Sequence, residues 1–70
     1  MTELKLYAID YYSTLRGQKY NNQLLIFAKN KDDAFEQFSK DIIMEKVNIT
    51  SIYEAEIKEG SVVWNRLTIN

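Results

Sequence analysis

Ala28-Lys29-Asn30-Lys31-Asp32-Asp33-Ala34-Phe35 is the stretch at which the chain changes its period. Before it, Gln23 to Lys29 carries the run Leu24-Leu25-Ile26-Phe27-Ala28, too short and too rich in β-formers for a helix, and reads as a strand. After it, Ala34, Phe35, Phe38 and Ile42 recur at i, i+1, i+4 and i+8, the spacing of one helical face. Asn30 separates the two. Its side chain can accept from the N–H groups of the next turn, and Asp33 stands where a carboxylate can reach back as in a capping box. Asp32, Asp33 and Glu36 crowd the first turns while Lys40 and Lys46 lie toward the end, the order that complements a helix dipole. A helix is expected to begin at Asn30 and to pack that face on a sheet.

Outward from the junction, Leu4 to Ser13 is rich in β-branched and aromatic residues with no breaker and predicts a strand. Thr14 to Asn22, which holds Gly17 and Asn21-Asn22, reads as a long hairpin loop. On the other side, Val47 to Lys58 and Val62 to Ile69 read as strands joined around Glu59-Gly60. No linker or repeat interrupts the chain, so residues 1–70 form one ββαββ domain. The fold class is α+β: a four-stranded antiparallel sheet in the order 4-3-1-2, with one helix on one face.

One helix covers one face, and this chain holds more apolar residues than that. The first strand is apolar on both parities, Leu4, Leu6 and Ala8 against Tyr7, Ile9 and Tyr11, where an open antiparallel sheet normally alternates apolar with polar. Val63, Leu67 and Ile69 against Val62 and Trp64 repeat the pattern more weakly. The expectation is that Tyr7, Ile9 and Tyr11 face away from the helix and are covered by another chain, a second copy in a homodimer or a partner. Phe35, Phe38 and Trp64 are expected in the core.

The chain has 70 residues, nine Lys plus Arg, ten Asp plus Glu, and no His, Cys or Pro. A domain this small buries roughly 60% of its unfolded surface and usually needs disulfides, a metal or oligomerisation. Without Cys and His, association is the support left. The same absences remove the usual general base, the strongest nucleophile and the soft-metal ligands, so no enzyme activity, cofactor or metal is expected. A net charge of −1 argues against a strongly basic nucleic-acid binder and against an acidic mimic of one. No apolar run reaches membrane-span length, and Met1-Thr2-Glu3-Leu4-Lys5 lacks the order of a signal peptide, which predicts a cytoplasmic protein. Ile, Lys, Asn and Tyr abound while Gly, Ala, Arg and Pro are scarce, the skew of an AT-rich genome such as that of a low-GC bacterium or its phages.

Two groups of residues could bind a partner. Tyr11, Tyr12, Arg16, Lys19 and Tyr20 lie in a stretch that interleaves aromatics, cations and side-chain amides. Tyr with Arg is the makeup of protein hot spots, and stacking with cation support is how single-stranded nucleic acid is held. Two cations supply little phosphate affinity, which favours protein contact. Glu54 and Glu56, two apart on a strand, share a face and could imitate phosphates for a basic partner, or simply form a solvated row that blunts edge pairing.

In size, composition and element order the chain resembles small ββαββ proteins of phages and conjugative elements of low-GC bacteria, some anti-CRISPR proteins among them. The segment Ala28 to Phe35 matches their strand-to-helix junction. The resemblance spans the whole length, names no activity and transfers no functional residue. It implies a stoichiometric inhibitor or adaptor that occupies a surface of a larger host machine; the most concrete expectation is a phage or mobile-element inhibitor of a host defence nuclease complex. The alternative is a small nucleic-acid-binding accessory protein using the Tyr11 to Tyr20 loop.

Overall fold

Asn30 caps a helix as its side chain dictates. In a computed structural model, which describes residues 3–41 and 47–68, Asn30 Oδ1 accepts from the Asp33 N–H at 2.8 Å and Asn30 O from the Ala34 N–H at 3.0 Å. Asp33 Oδ2 reaches back to accept from the Lys29 N–H at 3.1 Å, a reciprocal cap closed one residue earlier than the simple box. The helix, α1, runs Lys31–Asp41. Gln37 Nε2 donates to Phe27 O at 3.1 Å and to Asp33 Oδ2 at 3.2 Å, tying the helix to the strand before it. Ile42 and Lys46, which the periodicity assigns to the same helix, lie outside the described residues, as does Ile69. Asn30→Ala leaves the Asp33 N–H without its acceptor. Its expected cost is about 1 kcal/mol, read as a lower urea midpoint at unchanged m.

Four strands, β1 (Lys5–Leu15), β2 (Gln18–Ala28), β3 (Val47–Lys58) and β4 (Ser61–Leu67), form one antiparallel sheet in the order β2-β1-β3-β4, the expected order read from the opposite edge. Both hairpins close through two residues. Arg16 and Gly17 have φ of 52° and 78°, Glu59 and Gly60 of 43° and 84°, the paired left-handed conformations of type I′ turns. The Thr14 to Asn22 loop is therefore corrected: β1 continues to Leu15 and β2 starts at Gln18. The polarity of Gln18 to Gln23 belongs to an edge strand that faces water, not to a loop.

The strands are staggered. β1 pairs with β3 between Tyr7↔Glu54 and Ser13↔Val47, while β4 pairs with the other end of β3, between Ile52↔Leu67 and Lys58↔Ser61. The two hairpin tips thus project from opposite ends of a body measuring 44 × 25 × 20 Å.

The helix packs over β2, and the core gathers Tyr7, Ile9, Ile26, Ala28, Ala34, Phe38 and Ile52. Tyr7 and Ile9 do not face away from the helix, as expected, but lie beneath it, 1% and 0% exposed. Tyr11 is packed on the same side, with the Phe38 ring edge-on to its own at 5.1 Å and 77°. Register decides this. Tyr7 and Ile9 pair with Ile26 and Leu24, and the chain leaves β2 at Ala28 with that row turned toward the helix it enters. In β3 the register shifts between Asp10↔Ser51 and Tyr11↔Ile49, so Thr50 is an extra residue. The bulge lets Ile49 and Ile52, three apart, both pack against the core.

Candidate interaction surfaces

The apolar surplus is real, and it lies on the other row. Strand alternation places Leu6, Ala8 and Asp10 of β1 opposite the helix, paired with Phe27, Leu25 and Gln23 of β2. β3 adds Tyr53, Ala55 and Ile57, and β4 adds Arg66, Trp64 and Val62 through the pairs Tyr53↔Arg66, Ala55↔Trp64 and Ile57↔Val62. Leu25, Phe27, Ile57, Val62 and Trp64 are 56%, 62%, 80%, 53% and 41% exposed. Trp64 is therefore not a core residue: its position in β4 points it away from the only helix described. A hollow of about 580 Å³ opens among Leu4, Leu6, Phe27, Ala55, Ile57 and Val62, with the charged Glu3, Lys5, Glu54 and Glu56 also lining it. Leu4, Leu6 and Ala8 carried the signal for this face in the sequence. Trp64 is corrected from the core to this face, and Phe27 joins it, because parity alone does not say which row the helix will cover.

A polar group closes the apolar face at one end. Asp10 Oδ1 accepts from Gln23 Nε2 at 2.8 Å, and Asp10 Oδ2 accepts from Ser51 Oγ at 3.3 Å. Thr50 Oγ1 donates to Asp10 O at 3.1 Å, which ties the bulge to the same point. Beyond it begins the β1–β2 hairpin end.

There Tyr12 and Lys19 meet, the Lys19 ammonium 4.4 Å from the ring centroid. Tyr20 pairs with Ser13 across the strands and so occupies the opposite face, where its hydroxyl donates to Gln18 Oε1 at 2.8 Å. Arg16 sits in the turn itself. The four do not converge on one patch but surround the tip, leaving Leu15 and Tyr20 61% and 46% exposed. No Asp or Glu occurs from Tyr11 to Lys31, so the tip is wholly cationic.

Glu54 and Glu56 share a face of β3 but not an environment. The Tyr7 hydroxyl donates to Glu54 Oε1 at 3.1 Å, with Lys5 Nζ 3.6 Å from the same oxygen. Burial, the Glu54 hydrogen bond and the Glu54 charge together push the Tyr7 phenol up to about 12. Glu56 accepts from Asn65 Nδ2 at 3.0 Å and lies 3.3 Å from Lys58 Nζ, which hold its carboxyl below the usual range. Each carboxylate is already matched by a cation, so the row presents little net field to a basic partner.

Among the described residues no helix is long and apolar enough to cross a membrane, and no group of His, Cys, Asp and Glu could hold a metal. No family model matches the chain, and neither does any curated protein or solved structure.

Proposed function

We propose that the chain is a non-enzymatic protein-interaction module that grips a larger partner with its β1–β2 hairpin end. The observation that carries this is the exposure of that end on both faces. Tyr12 with Lys19 on one side, Tyr20 on the other and Arg16 at the turn form a narrow cationic ribbon at the far end of an elongated body. A ribbon exposed on both sides fits into a groove better than onto a flat surface, and Tyr and Arg are the residues in which binding energy concentrates. In its most concrete form, the groove belongs to a host defence nuclease complex and the chain is a phage or mobile-element inhibitor acting in a bacterial cytoplasm.

A second reading, contact with single-stranded nucleic acid, shares the Tyr12–Lys19 pair. Salt separates the two. Capture from a host lysate followed by alanine substitution of Tyr12, Arg16, Lys19 and Tyr20 is expected to weaken binding by about 2 kcal/mol at the strongest positions, with the fold intact and little salt dependence. Steep loss with salt, concentrated at Arg16 and Lys19, supports the nucleic-acid reading instead. Variants that all bind like the parent exclude the hairpin end as the contact.

A further inference from the structure

We propose that the open sheet face is the interface of a homodimer, in which Leu25, Phe27, Ile57, Val62 and Trp64 of each copy pack against the same face of the other. The area is the first argument. The chain exposes 5435 Å², whereas a compact monomer of its 8.3 kDa is expected near 4,600 Å². The surplus over the whole chain, its two projecting hairpins included, is roughly 800 Å², of the same size as the area each partner buries in a standard-size interface.

Composition is the second. Its exposed large side chains are mainly Leu, Phe, Ile, Val and Trp, with Asp10, Gln23 and Arg66 toward one end, close to the makeup of a domain core cut in half, which is how obligate interfaces differ from transient ones. Such a face needs an occupant from the moment of synthesis, and the one protein always at hand is a second copy. Charge permits it. Among the described residues the rows from Leu6 to Asp10 carry one acid, Asp10, and one base, Arg66, and of the acids lining the hollow beside Ile57 and Val62, Glu54 and Glu56 are paired with Lys5 and Lys58, which leaves Glu3. Asp10 is matched within its own chain by Gln23 and Ser51. Two such sheets stacked about 10 Å apart make a sandwich, with the helices outside and an isologous contact that closes after two copies.

The residues named for the dimer lie between Asp10 and the β3–β4 turn, short of the β1–β2 hairpin end, so the failure of the dimer and that of the hairpin reading are separable. Sedimentation equilibrium of the full chain tests it. The expected result is a two-chain mass at micromolar concentration, with Phe27→Glu weakening association at least about thirtyfold while far-UV dichroism and cooperative melting persist. Dilution of the wild type through its dissociation constant is expected to shift the emission of Trp64, the only tryptophan, to the red and raise its quenching by acrylamide, a readout independent of any variant. A monomeric wild type up to about 100 µM, a far larger oligomer, or a dimer that survives both Phe27→Glu and Trp64→Glu overturns the proposal.

Discussion

Phe38→Ala is expected to cost about 3–5 kcal/mol, the range for removing a buried aromatic ring and leaving its cavity. Phe38 is fully buried and meets the Tyr11 ring edge-on at 5.1 Å. Among the described residues it joins α1 to the sheet together with Ala34 and Phe35. A domain of 70 residues holds on the order of 4–10 kcal/mol in total. The variant is therefore expected to be largely unfolded at 37 °C in a thermal melt followed by dichroism. Cooperative melting within a few degrees of the parent would show that Phe38 does not fill the space between helix and sheet.

Tyr7→Ala carries the next largest effect, again about 3–5 kcal/mol, and the reason separates two arrangements of the sheet. On the outer face, Tyr7 would lose little in a monomer. Beneath the helix it loses its packing on Ile9, Ile26 and Phe38 and leaves Glu54 with Lys5 alone. Tyr7→Phe isolates the hydroxyl. The Tyr7 phenol has a pKa of about 12 when folded against 10.0 for the ordinary group. It contributes stability that is complete below pH 10 and is lost as pH rises toward 12, because the unfolded chain gives up the proton first. The wild type is expected to lose stability more steeply than Tyr7→Phe across that window in denaturant titrations at each pH. Parallel slopes would mean that Tyr7 is solvated in the folded chain.

Helix start and the second tight turn were legible because each rests on local chemistry, Asn30 with Asp33 at the change of period and Gly60 after Glu59, while the strand order followed from the ββαββ element order and its crossover. The helix-covered row of β1 was not. Both rows are apolar, and the choice between them is made by pairing with Ile26 and Leu24, a long-range fact that no local pattern encodes. The bulge at Thr50 was hidden for the same reason, since an extra residue in β3 is defined only against β1. Of the candidate site residues, Tyr12, Arg16, Lys19 and Tyr20 stand at the hairpin end, reached by strands where a loop was expected. Tyr7, Ile9 and Tyr11, expected on the outer face, lie beneath the helix, and the exposed apolar row is the other one, which holds Leu25, Phe27 and Trp64.

An isotope-filtered nuclear Overhauser experiment on a mixture of labelled and unlabelled chains tests most directly which face is covered by the helix and which by a second copy. Phe38 is expected to show contacts to Tyr11 within its own chain, while Phe27, Ile57 and Trp64 show contacts between chains. Intermolecular contacts at Tyr7 and Ile9, or none at Phe27 and Trp64 in a sample concentrated well above the dissociation constant, would contradict that arrangement.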